Sequence, residues 1–226
     1  AAGRTALGLV FLGRSCSVLV DFDDLLFDGL PGAGGGGGTA GQGGMPPSFA
    51  VYVSPVGDDR NDGLSPSTPR RTVAGGLEVA RGLGGLGEVR VCEGVYPSPT
   101  VLVDFDVVLR GGYDCASFAP GRLETRLEYS GATPTELVTL EISGTEVTDA
   151  TVVEGFYILG AATGEDDSMA VRVRDGAAPL LTHNQIDGGA GSAKTRAGSI
   201  GVRVHEAAAV LRENNIHGGN GTAAGQ

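Results

Sequence analysis

Tryptophan is absent from the 226 residues, and aromatic side chains amount to 7 Phe and 5 Tyr. A core built around large rings is therefore excluded, and Val, Leu and Ile must line whatever interior forms. Lysine is nearly missing too: of sixteen basic residues only Lys194 is a lysine. With 27 acidic residues the formal charge is −11, which disfavours nucleic acid and anionic membrane surfaces as partners. No apolar run approaches the roughly 18 residues needed to span a bilayer, so no transmembrane helix is expected. Cysteine is scarce, at three residues.

Glycine, by contrast, is abundant: 40 residues, against about 7% of an average chain. It lacks the three-residue period of collagen. A hydrophobic content of 41% also excludes a wholly disordered chain. What remains is an acidic protein whose backbone turns sharply in many places.

The chain divides into three parts. In residues 1–16, Arg4 precedes a short apolar run that ends at Gly13-Arg14-Ser15-Cys16. That order resembles a secretory signal ending in a bacterial lipobox, with Cys16 as the lipidated residue. An ordinary cleaved signal peptide or a mis-assigned start is the alternative. Residues 17–48 form a tether, because ten of the sixteen residues from 29 to 44 are glycine and have nothing to bury. Folding is expected over 49–226, with an N-terminal cap at 49–87 and coils from 88 to 226, where the sequence stops inside a repeat.

That repeat is explicit. Residues 178–191 (APLLTHNQIDGGAG) align with 208–221 (AAVLRENNIHGGNG), and strands at 170–173 and 201–204 precede them. A weaker copy occupies 151–160. A period near 30 residues means a solenoid, propeller or array. Short β-branched strands with Asn and Gly at the corners select a parallel β-helix, in which equivalent residues stack about 4.8 Å apart. A propeller is second. Asn184 and Asn214 then stack as an asparagine ladder. Val171, Val173, Val202 and Val204 face inward, with Arg172 and Arg203 outward.

The segment ahead of the repeats carries a resemblance. Residues 52–55 (YVSP), 58–63 (DDRNDG), Thr72 with the helix that follows, 93–96 (EGVY) and 111–114 (GGYD) are matched in order by a known opening. They resemble the domain of unknown function that opens many bacterial right-handed parallel β-helix proteins of the pectate-lyase-like superfamily. The resemblance covers residues 51–118. It implies an all-β, right-handed parallel β-helix whose short N-terminal helix caps one end, and at the repeat length the residues from 87 onward make about five coils. Cys92 and Cys115 would lie one coil apart, close enough to bridge in an exported protein; two free buried thiols are the alternative.

The chemistry on offer is sparse. Asp58, Asp59, Asn61 and Asp62 supply hard oxygens suited to Ca²⁺, although Arg60 interrupts the spacing and such residues also make turns. Asp166 and Asp167 form the one adjacent acidic pair of the repeat region. With the Arg172 and Arg203 column they are candidates for binding an acidic polysaccharide. Asp175 and Glu206 follow in register, so local salt bridging explains the arginines equally well. The glycines at 82–87 (GLGGLG) fit a dinucleotide motif by letter, but a helix precedes and a strand follows, which reverses the required geometry. His183 and His217 lack partners at metal spacing. The sequon at 220–222 is a chance match.

The resulting expectation is an exported β-helix protein, secreted or held at the outer membrane or cell surface as a lipoprotein. Its role would be structural, adhesive or glycan-binding, with polysaccharide or cell-surface components as partners. The alternative is a polysaccharide lyase or glycoside hydrolase whose active coils lie beyond residue 226.

Overall fold

The computed structural model describes residues 49–121, 124–131, 137–161, 168–189 and 199–219. The signal-like segment with Cys16, the glycine tether, Asp166 with Asp167 and the sequon lie outside the described residues.

Alternating aliphatic positions build fifteen short strands among the described residues, and the strands form three sheets. The first sheet contains β1 (Ala50–Val53), β2 (Glu88–Cys92), β5 (Val108–Tyr113), β8 (Val152–Glu154), β11 (Leu180–Thr182) and β14 (Val210–Arg212), side by side in that order. The second runs β3 (Gly94–Ser98), β6 (Thr125–Tyr129), β9 (Tyr157–Leu159), β12 (Gln185–Asp187) and β15 (Asn215–His217). The third runs β4 (Val101–Val103), β7 (Leu137–Ser143), β10 (Ser168–Arg174) and β13 (Ile200–His205). Every paired strand is parallel to its neighbour. From β2 onward the chain visits the first, second and third sheets in strict rotation, which is the topology of a parallel β-helix.

Strand register turns the sequence period into columns. Val89, Leu109, Val153 and Leu181 stack inside the first sheet, and Leu127, Ile158 and Ile186 inside the second. Val101, Leu140 and Val171 do the same in the third. All are fully buried or within 1% of it. Each such side chain contributes roughly 1.5–3 kcal/mol of burial; Tyr96, Phe105 and Phe156 are the aromatics that join them in the core.

The four valines expected inside divide. Val171 and Val173 are fully buried, whereas Val202 is half-buried and Val204 is 44% exposed. The latter two keep the inward alternation but belong to β13, the last described strand of its sheet, so no described strand covers them.

The one helix among the described residues, α1 (Val73–Gly82), packs Val73, Leu77 and Ala80 against β1, β2 and β4. Thr72 starts it by accepting the Gly75 amide at 3.0 Å, which satisfies one of the free donors of the first turn.

Corners are set by left-handed backbone. Between the first and second sheets, Gly155, His183 and Glu213 occupy equivalent positions with φ of 78°, 53° and 52°. A non-glycine residue pays for that conformation with about 1–2 kcal/mol, so something else must hold His183 and Glu213 in place.

Candidate functional site

The holding element is the residue that follows each of them. Asn184 is 2% exposed. Its Oδ1 accepts the Phe156 amide at 3.0 Å, and its Nδ2 donates to the Val153 carbonyl at 2.9 Å. Asn214 repeats both bonds one strand along, accepting the Asn184 amide at 2.9 Å and donating to the Leu181 carbonyl at 2.8 Å. Asn184 Nδ2 also lies 3.0 Å from Asn214 Oδ1, so the side chains are linked to one another up the column. Each asparagine thus closes backbone groups that a tight corner would leave unpaired.

In the strand pair β5–β6 this corner is interrupted. Eleven residues separate β5 from β6 where the later corners take two, and residues 114–121 form a bulge there. Asp114 caps the bulge, its Oδ1 accepting the Ser117 amide at 2.8 Å and the Ser117 hydroxyl at 2.7 Å. A disulfide between Cys92 and Cys115, with Cα atoms 4.9 Å apart, ties it to β2. Beside it, at the corner of the first and second sheets, lies a groove of about 610 Å³. Arg110, Glu124, Glu154, Tyr157, His183 and Gln185 are among its polar lining.

The groups in the groove are coupled. Arg110 donates from Nε to Glu154 at 2.9 Å and from Nη1 to Glu88 at 3.2 Å. Glu88 is 2% exposed and also receives Arg90 Nε at 2.8 Å and the Tyr113 hydroxyl at 2.7 Å. Burial pushes the Glu88 carboxyl upward, but the Tyr113 and Arg90 hydrogen bonds and the charges of Arg90 and Arg110 outweigh it. The net result lies below the ordinary carboxylate range. Tyr113, through its burial and then its bond to Glu88, is pushed up to about 12. His183 Nδ1 lies 3.6 Å from Glu154, and its Nε2 pairs with Glu213.

A second charged cluster covers the third sheet, 31 residues apart in sequence. Glu141 receives both Arg172 and Arg174. Burial raises its carboxyl, and the two arginine hydrogen bonds and charges then lower it below the usual range. On the second sheet burial likewise raises Asp187, and bonds from His217, Tyr157 and Gln185 bring it below the ordinary value. All three carboxylates are held as anions by partners on neighbouring strands.

Arg172 and Arg203 are register neighbours on the outer face of the third sheet, as the repeat requires. Arg172 is bound to Glu141 there, and Arg174 bridges Glu141 and Asp175. The groove lies elsewhere, at the corner of the first and second sheets.

Asp58, Asp59, Asn61 and Asp62 are not turned onto one point. Asp59 Oδ1 accepts the amides of Arg71 and Thr72, each at 2.9 Å, ahead of α1. Asp58 accepts the Arg60 amide, Asp62 the Leu64 amide and Thr68 hydroxyl, and the Asn61 amide donates to the Pro69 carbonyl. Among the described residues no group of three His, Cys, Asp or Glu is placed to hold a metal ion. No described helix is long and apolar enough to cross a membrane.

Sequence reading missed the groove residues. The available signal was the extra length between β5 and β6, which breaks the 30-residue spacing and carries Cys115.

No family model matches the chain, and no curated protein matches it. A solved structure does. It is a rhamnogalacturonan lyase, similar at 16% identity with a TM-score of 0.30, over 74% of this chain and 51% of that one. The chain therefore spans about half the length of that enzyme.

Proposed function

We propose that this chain is a rigid rod displayed on the cell surface: a right-handed parallel β-helix of about five coils, capped by α1, that serves adhesion and holds glycans without cutting them. The signal-like segment around Cys16 would anchor it, and the glycine-rich segment would hold the rod away from the membrane.

One observation carries the structural reading. Several outward polar side chains join one strand to the next. Glu88, Glu141 and Asp187 are each held ionised by partners on neighbouring strands, and the asparagines close backbone groups at the corners. A general acid needs the opposite environment, one that keeps its proton near neutral pH. The Cys92–Cys115 disulfide supports export, since such bonds persist in oxidising compartments. The acid oxygens of Asp58, Asp59 and Asp62 serve as turn caps, which favours a rod that works without Ca²⁺.

The location is tested on intact host cells. An antibody to the folded region should label them, and a radiolabelled fatty acid should be incorporated and then lost in Cys16→Ser. Label confined to permeabilised cells would contradict surface display.

A further inference from the structure

Resting on the glycan-holding part of that reading, we propose that the groove at the corner of the first and second sheets binds a short stretch of neutral, hydroxyl-rich oligosaccharide, and not a polyuronate.

The lining points to hydroxyl groups. Glu124 and Glu154 accept, the Gln185 amide does both, and the Arg110 guanidinium donates. Planar groups of this kind pair two-to-two with neighbouring hydroxyls, which gives orientation as well as affinity. Gln185 and Glu124 are exposed and both line the groove. The Gln185 amide otherwise makes one bond, to Asp187 at 3.1 Å.

Charge decides between neutral and acidic sugars. Arg110 carries the fixed positive charge of the lining, and Glu154 and Glu88 already neutralise it. Glu124 and Glu154 leave the groove negative, within a chain of net charge −11. A polyanion entering it meets like charge over distances shorter than the ~8 Å screening length of physiological salt. A neutral sugar has no such cost.

The floor and wall suit a flat ring. Gly111 and Gly155 face each other across the coils, and a Cβ on Gly111 would lie 2.6 Å from the Gly155 carbonyl oxygen. Glycine is thus required there by packing, and its consequence is a floor of bare backbone that a ligand can approach closely. The wall is fixed in advance by the Cys92–Cys115 disulfide and the Asp114 cap, so binding orders little chain. The groove's volume is that of a small-molecule site, which suits a few sugar units.

The test is calorimetric titration of the full chain with two probe sets. One is neutral oligosaccharides (β-linked glucose, xylose, mannose and galactose series), and the other is oligogalacturonate of matched length. The site predicts binding of at least one neutral series and weaker or no binding of oligogalacturonate. Glu124→Ala with Gln185→Ala should weaken the neutral probe by about tenfold or more, two lost polar contacts at roughly a factor of five each. Unchanged melting temperature of that variant excludes misfolding as the cause. Tighter binding of oligogalacturonate, binding untouched by the paired variant, binding abolished by Arg203→Ala on the third sheet, or no neutral binding would each overturn the site. Product analysis of the same mixtures reads scission separately, so failure of the scaffold reading is not mistaken for failure of the site.

Discussion

Asn184→Ala is expected to lower the stability of the folded chain by about 3 kcal/mol, more than any other single polar truncation at the corners. Alanine removes the acceptor for the Phe156 amide and the donor for the Val153 carbonyl, both at buried positions. Each buried group left unpaired costs roughly 1–3 kcal/mol. The link to Asn214 is lost at the same time. Asn214→Ala should cost clearly less, because Asn214 is only half-buried and water can reach the groups it leaves. Asn184→Asp should be at least as damaging as alanine, since it sets a carboxylate oxygen against the Val153 carbonyl without a proton to share. Urea unfolding of the three variants, followed by far-UV circular dichroism, gives the ranking. Equal and small losses for Asn184→Ala and Asn214→Ala would mean that the ladder is a consequence of the stack and not a cause of it.

Replacement of both Cys92 and Cys115 by serine carries the second large effect. The bridge closes a loop of sequence separation 23, and constraining the unfolded chain over such a loop contributes about 3 kcal/mol. For a chain of this size that corresponds to a fall in melting temperature of roughly 6–12 °C. The effect should be reproduced by a reducing agent on the native chain and be absent from the double-serine variant. Loss should begin locally, because Cys115 lies in the bulge that forms the groove wall while Cys92 is fully buried in β2. Hydrogen exchange should therefore quicken first in residues 114–121. A melting curve insensitive to reductant would show that packing of Tyr113 and Phe118 beside the bridge is enough to hold the bulge.

Much of the scaffold was legible because a solenoid writes its geometry into the spacing of its sequence. Asn184 and Asn214 stand 30 residues apart, and the structure puts them one above the other. The alternation of valine and arginine in β10 and β13 gave the inward and outward faces, and the separation of the two cysteines matched the coil. Other features are invisible to spacing. Glu141 finds Arg172 only once β7 and β10 are in register, so the spacing alone left the arginine column open between a surface for acidic ligands and local salt bridging. The acidic run at 58–62 left shared hard oxygens and turn capping both open, because adjacency in sequence does not say where a carboxylate points; Asp58, Asp59 and Asp62 accept amides of different backbone segments. The groove draws Arg110, Glu124, Glu154, Tyr157, His183 and Gln185 from six separate strands and loops. It exists because one corner departs from the repeat, and a reading built on the repeat passes over what departs from it.

The claim that these side chains serve to hold the coils together, and not to cut a polymer, has a direct measurement. The full chain is incubated with neutral and acidic polysaccharides, with and without Ca²⁺, and the mixtures are followed for new reducing ends and for unsaturated sugar products. No increase in either, with the polymers unchanged in size, is the predicted result. Reducing ends would show hydrolysis, unsaturated products would show elimination, and either one, lost on substitution of Glu154 or Arg172, would contradict the account.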